Sequence, residues 1–190
     1  MYIDRDGKSA TWILGVLAVW LLFNLKSDDP NTMVNYAEEQ VNQGKYFRTH
    51  SDAANSWKFG ALNQTGGDGL ERSAMIYAMN YGGRTYYRIG LSYKGYPRTV
   101  INGFLFGYLL ETPFNALFAG GRLAGYMHTH PNGSGTGASI ADRLMLYLPG
   151  IEHSYIFTAG RNSTYYDQKN PNVDFWEALR RAIFNGHGSA

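Results

Sequence analysis

The chain has 190 residues, a formal net charge of +2 and 44% hydrophobic residues, which is enough for one domain with a substantial core. The small charge argues against a nucleic-acid partner, because the basic residues are spread along the chain and form no stripe. No cysteine is present, which excludes disulfides and cysteine-ligated zinc.

Residues 1–50 are expected to form an N-terminal linker with an apolar segment and a helix. Residues 11–25 are apolar apart from Gly15 and Asn24, yet this stretch is shorter than the ~20 residues of a usual membrane span. We interpret it as a buried or interfacial helix, with membrane contact during delivery as the alternative. A polar break follows, and the apolar spacing within 32–47 favours a modest helix.

Residues 51–170 are predicted to form the principal domain, a mixed β-sheet flanked by helices in the α+β class. Its first half is predicted to contain a helix at 51–62, a Gly-rich break at 64–69, strands at 73–80 and 84–91 around a turn at 81–83, and a strand end with a long insertion at 95–120. Its second half is predicted to contain a strand at 122–127, a helix at 139–148 and strands at 154–158 and 163–166. An amphipathic helix at 173–184 is expected in a C-terminal segment, 171–190.

The run His128-Thr129-His130-Pro131, at the end of the strand 122–127, is the clearest chemical signal. Two imidazoles two residues apart on an extended segment project to one side and can share one metal ion. Asp142, on the first turn of the next helix, would add a third ligand and leave a fourth position for water. This set of two nitrogens and one oxygen predicts a catalytic zinc site and metal-assisted hydrolysis.

Two further residues complete the predicted site. Ser139 fits the N-cap of the helix, with Asp142 in a capping box, and its hydroxyl would also be able to donate to the oxyanion of a tetrahedral intermediate. A general base must take a proton from water and return it to the leaving amine. Glu71 is the favoured base because it immediately precedes the strand 73–80, whereas Glu111 lies in the insertion. The histidines outside this run are expected to be peripheral.

Glu71, His128-x-His130-Pro131 and Ser139-x-x-Asp142 together resemble the motif of the JAMM (MPN-type, JAB-like) metalloproteases. The resemblance covers roughly residues 52–168. Within that family, the chain is most similar to the JAB-like domains at the C-termini of bacterial polymorphic toxins, through AGYMHTHP at 124–131 and SYIFT at 154–158. The opening YIDRDG at 2–7 is similar to the segment that ends an Rhs repeat core.

The resemblance implies a JAMM/MPN-like sheet with the layering of a cytidine deaminase and an N-terminal helical extension. It implies one Zn²⁺ ion held by His128, His130 and Asp142, with Glu71 as the general base and Ser139 as the oxyanion donor. It also implies cleavage of an amide or isopeptide bond in a peptide or protein substrate. The chain would then be a secreted effector that acts in the cytoplasm of a target cell, with a cognate immunity protein as a partner. One departure is the spacing from His130 to Ser139, which is one residue longer than is commonest in the family.

Two other functions stay open at this point. His128 and His130 would also serve as general acid and base of a nuclease-type toxin, although no basic groove is visible in the sequence. A non-catalytic MPN-like binding module would keep the same fold, although modules of that kind typically lack the ligands that this chain retains.

Overall fold

The computed structural model describes residues 29–95, 101–131, 142–143, 145–158 and 163–168. Within these residues, six strands form one mixed sheet with helices packed on it. The predicted class, an α+β chain with a mixed sheet flanked by helices, is therefore confirmed. The apolar segment 11–25 and the predicted helix 173–184 lie outside the described residues.

One strand, β4, occupies the middle of the sheet. The strands are β1 (Arg72–Tyr81), β2 (Arg84–Ile89), β3 (Tyr93–Lys94), β4 (Gly121–His130), β5 (His153–Thr158) and β6 (Thr164–Asp167). Their order is β2-β1-β4-β5-β6, and β3 pairs with the beginning of β1. β4 and β5 run parallel, whereas the other pairs are antiparallel. The end of the sheet where β4 and β5 finish and β1 begins is called the His130 end, and the opposite end is called the Gly82 end.

The helix α1 spans Pro30–Asn42, so it ends five residues before the predicted 32–47 does. Asp29 caps it, because its carboxylate accepts from the backbone N–H groups of the first turn. Ala37 on its buried side packs in a small cluster with Tyr46 and Tyr86.

The helix α2 spans His50–Asp68, so the predicted break at 64–69 is wrong. The helix continues because Thr65 is buried against the sheet, where its hydroxyl lies 2.6 Å from that of Thr129. Packing of one helix face outweighs the low helix propensity of the two glycines that follow Thr65. Gly69, with φ +70°, ends the helix in the left-handed conformation that favours glycine.

β1 and β2 form a hairpin at the predicted turn. Gly82 and Gly83 have φ angles of +57° and +78°, as both central residues of a type I′ turn require. A Cβ atom at Gly82 would also lie 2.6 Å from the carbonyl oxygen of Pro30. Glycine at this position therefore shapes the turn and lets the beginning of α1 approach it.

Residues 101–119, which lie in the region predicted as a strand end with a long insertion, are helical and contain no strand. α3 spans Ile101–Phe106, a π-helical turn spans Gly107–Glu111, and α4 spans Thr112–Ala119. The backbone N–H of Thr112 donates to the carbonyl of Gly107 across the π turn. Pro113 is the second residue of α4, and Glu111 and Thr112 before it have right-handed helical backbone angles, so the chain passes from the π turn into α4 without a break. The proline therefore does not interrupt the helical segment 101–119.

The sheet has an apolar core on each face. The core under α3 and α4 contains Met75, Tyr77, Met79, Phe104, Leu123, Tyr126, Leu146, Ile151, Ile156 and Tyr166. The core under α2 contains Ala53, Ala54, Ala74, Ile76, Met127, Tyr155 and Phe157. Alternate residues of β1 belong to opposite cores, as expected for a strand covered on both sides.

The predicted helix 139–148 is only partly described. Asp142 and Arg143 are helical, and a 3-10 turn spans Met145–Tyr147. Ser139 lies outside the described residues. In the part of the chain that the structure describes, no helix is both long and apolar enough to cross a membrane.

Candidate metal centre

The two histidines of the H-x-H run lie at the carboxyl end of the central strand β4. His128 and His130 are two residues apart, so their side chains point to the same face of the sheet, the face that α3 covers. His128 is 1% exposed, and its neighbour Ile156 on β5 belongs to the core of that face. The site is therefore built on a strand that is fixed by pairing on both sides.

The nitrogen and oxygen atoms of three residues converge at this point. The Nε2 atoms of His128 and His130 lie 3.0 Å apart. Asp142 Oδ1 lies 3.2 Å from His128 Nε2, and Asp142 Oδ2 lies 4.0 Å from His130 Nε2. Ligand atoms about 2.0–2.1 Å from one tetrahedral ion are about 3.3 Å apart, so these separations fit a shared metal ion. The structure thus shows a buried group that could hold a metal ion.

The electrostatics of His128 also suit a ligand. Burial lowers the pKa of His128 to about 4, so the imidazole is neutral at neutral pH and its nitrogen keeps a lone pair for a metal. Its ring stacks on that of Tyr126, with the centroids 5.4 Å apart. Among the described residues, His128 Nδ1 has no hydrogen-bond partner, so packing against Tyr126 orients the ring.

Glu71 lies beside the three residues. Ser73 on β1 pairs with His128 on β4, so Glu71, two residues earlier, is on the same face. Its side chain is buried, at 6% exposure for the residue. Burial, and after it the neighbouring Asp142 carboxylate, raise the pKa of Glu71 to about 7. The site therefore contains a carboxyl group that changes protonation near neutral pH.

A polar network on the opposite side of β4 fixes the chain around Glu71. The Thr129 hydroxyl accepts from the backbone N–H of Arg72 at 2.9 Å and contacts Thr65 of α2. The Arg72 guanidinium donates to Asp68 at 2.6 Å and to the Leu70 carbonyl at 2.8 Å. This network could not be predicted from the sequence, because Thr65 lies in the predicted break at 64–69. The Arg72 side chain contacts the end of α2, which lies beyond the helix predicted at 51–62.

Thr158 is a second residue that the sequence analysis missed. It ends β5, pairs with His130 on β4 and is 2% exposed. Its hydroxyl has no hydrogen-bond partner among the described residues. A buried hydroxyl beside the histidines is a candidate group for contact with a bound ligand or water, and no local motif would have revealed it.

The other residues considered for the site lie elsewhere. Glu111 accepts from the backbone N–H of Leu91 and from the Tyr93 hydroxyl. His50 and His153 stack with ring centroids 3.6 Å apart, and His153 begins β5, at the sheet end opposite His130. His128, His130, Asp142 and Glu71 are thus brought together, whereas the predicted oxyanion donor, Ser139, falls outside the described residues.

Comparisons with known proteins give no relative for this chain. No protein-family model, curated protein or solved structure matches it. The geometry of the site and the sequence motif are therefore the grounds for a function.

Proposed function

We propose that the protein is a zinc-dependent hydrolase that cleaves amide bonds, of the JAMM type that its motif resembles. The observation that carries the proposal is the convergence of His128, His130 and Asp142 within ligand distance of one another, beside a buried Glu71. Two imidazole nitrogens and one carboxylate oxygen form a set that zinc accepts, and three protein ligands leave a coordination position open. An open position is the mark of a catalytic site.

A zinc ion held there would act as a Lewis acid and would lower the pKa of a water molecule. Glu71 then has the proton-transfer role. Its carboxylate lies on the same face as the histidines and would accept the proton of the attacking water and deliver it to the leaving amine. One carboxyl group beside both the water and the leaving amine would be able to perform the two transfers in turn. The enclosed position of Glu71 also keeps bulk water away from the proton that it holds.

We further propose that the substrate is a peptide or protein of a target cell and that the chain is the toxin tip of a secreted, Rhs-like effector. The resemblance of residues 124–131 and 154–158 to polymorphic-toxin domains supports this context. A cell that produces such a hydrolase needs protection, so a cognate immunity protein is the expected partner. The small, scattered positive charge supports a protein substrate over a nucleic acid.

The test is to produce the full chain in bacterial cells and to identify new peptide termini by mass spectrometry. Wild type should generate termini that are missing from His130→Ala cells, and Glu71→Gln should lower the cleavage rate by about 10²-fold or more while the metal stays bound. Glu39→Gln, which changes an exposed carboxyl group on α1, is the matched control and should behave as wild type. The same termini at the same rate in His130→Ala cells would refute the proposal. DNA or RNA breakdown that survives Asp142→Ala would point to a nuclease.

A further inference from the structure

Residues 101–119 present an apolar surface to solvent. Six large side chains are between 44% and 62% exposed: Leu105, Phe106, Leu109, Leu110, Phe114 and Leu117. The six side chains lie on the exposed side of this helical segment, whereas Phe104, Gly107 and Asn115 are buried. The six side chains are called the apolar patch.

The apolar patch contains no charge that would keep it in water. Glu111 is the one charged residue in 101–119, and it is turned aside to the Leu91 backbone and the Tyr93 hydroxyl. A helix at the surface of a soluble domain usually carries polar residues on its outer side. Contiguous apolar surface of this kind is rare on monomers and marks a binding surface.

The beginning of the described chain lies at the same end of the sheet as the end of α4. A Cβ at Gly82 would touch the Pro30 carbonyl oxygen at 2.6 Å, so α1 starts at the Gly82 end of the sheet. α4 finishes at the same end, because the residue after its cap, Gly121, pairs with Met79. Tyr81 packs against both the α1 cluster and the core under α3 and α4. The N-terminal residues before Asp29 therefore connect to the molecule at the end of the sheet where α4 finishes.

The sequence before Asp29 supplies an occupant of matching chemistry. We propose that residues 11–25 of the same chain pack along the apolar patch and cover it. This segment is as free of charge as the patch, and Trp12, Trp20 and Phe23 supply large apolar side chains.

Its length and its connection fit the patch. The four residue steps from Leu25 to Asp29 can span about 13 Å. This reach exceeds the distance of about 10 Å along β1 between Gly82, beside the start of α1, and Met79, which pairs with the residue after the α4 cap. As a helix, residues 11–25 would be about 22 Å long, against about 18 Å for the patch from Leu105 to Leu117. Since residue 25 is tied to the Gly82 end, residue 11 would lie towards the His130 end, where α3 begins beside Ser73.

The full chain contains no cysteine, so introduced pairs report proximity without background. The test variant carries Ala18→Cys with Leu109→Cys and is treated with a short bismaleimide. The matched control carries Ala18→Cys with Phe59→Cys. Phe59 is 75% exposed and lies on α2, which covers the other face of the sheet. Urea unfolding of each variant checks that the fold is kept.

The expected result is an intramolecular cross-link in the test pair that forms at least tenfold faster than in the control pair. Adding Leu110→Asp to the test pair should slow the cross-link, because a carboxylate in the covered patch would be desolvated. Equal rates in the two pairs would overturn the proposal. Faster cross-linking of Leu179→Cys with Leu109→Cys would assign the patch to the C-terminal segment, and a cross-link found only between chains would assign it to a second copy. If wild type sediments with phosphatidylglycerol vesicles and Leu110→Asp does not, the apolar patch is assigned to a membrane. Each of these three alternative outcomes contradicts the proposal.

Discussion

Replacing Glu71 with glutamine should stabilise the metal-free protein at alkaline pH, which is the opposite of what a lost salt bridge would do. Burial and the Asp142 carboxylate raise the pKa of Glu71 from 4.5 to about 7. A carboxyl group whose pKa is raised by folding contributes its stability below the pKa of the unfolded chain and loses it as the pH rises through 7. Glutamine has the same shape as the protonated acid and no charge, so it avoids this loss.

The magnitude follows from the pKa. A rise from 4.5 to about 7 corresponds to about 3 kcal/mol in the free energy of unfolding at pH 8 or above. At pH 5, only half a unit above the pKa of 4.5 in the unfolded chain, little of this difference has developed, so Glu71→Gln and wild type should differ by less than about 1 kcal/mol. The advantage of the variant should therefore grow by about 2 kcal/mol from pH 5 to pH 8.

The assay is urea unfolding of both chains in a chelator, because a bound divalent cation would favour the ionised carboxylate and hide the effect. Glu39→Gln is the control, since Glu39 is exposed on α1, and it should differ from wild type by less than about 0.5 kcal/mol at either pH. If Glu71→Gln is no more stable than wild type at pH 8, or if its advantage over wild type is smaller at pH 8 than at pH 5, the pKa of this buried carboxyl group is not raised as described.

Substitutions at three further positions, Gly103, Thr49 and His153, test the fold. Gly103→Ala should lower the free energy of unfolding by about 1–3 kcal/mol, because the added methyl group would lie 2.6 Å from side-chain atoms of two β-strand residues. Gly60→Ala is the control: a Cβ there has nothing within 4 Å, so the substitution should raise the free energy of unfolding by up to about 1 kcal/mol. Similar effects of the two substitutions in urea unfolding would contradict the packing described. Thr49→Ala should cost about 0.5–2 kcal/mol in the same assay through loss of the α2 N-cap, and Thr49→Asn should restore most of it; an unchanged midpoint in the alanine variant would show that the cap is unimportant. Burial lowers the pKa of His153, so wild type should lose stability relative to His153→Gln as the pH falls below 6.5. A difference in Tm between the two proteins that stays constant from pH 8 to pH 5 would contradict the lowered pKa.

Local patterns were sufficient to predict several elements. The pair Gly82-Gly83 between two strand-like runs is a strong hairpin signal, since few other residues adopt positive φ at both positions. The spacing of His128 and His130 on a strand places both imidazoles on one side, whatever the surrounding fold. Asp142 was predicted from its position in a helix start, and it lies within ligand distance of both histidines.

Features that depend on tertiary packing could not be predicted in the same way. The helical path of 101–119 depends on Gly103 and Gly107, which approach β1 and β3 side chains too closely for a Cβ, and these contacts are invisible in a single sequence. The extension of α2 to Asp68 depends on the contact between Thr65 and Thr129, 64 residues apart. The burial that makes Thr158 a candidate for ligand contact arises only when β5 pairs with β4.

The metal content of the purified full chain tests the central claim most directly. Elemental analysis after dialysis against buffered zinc should find one zinc ion per wild-type chain and per Glu71→Gln chain, and less than a tenth of that in His130→Ala and Asp142→Ala, because each of these two loses a ligand. Wild type without zinc, or with the same zinc content as Asp142→Ala, would contradict the account.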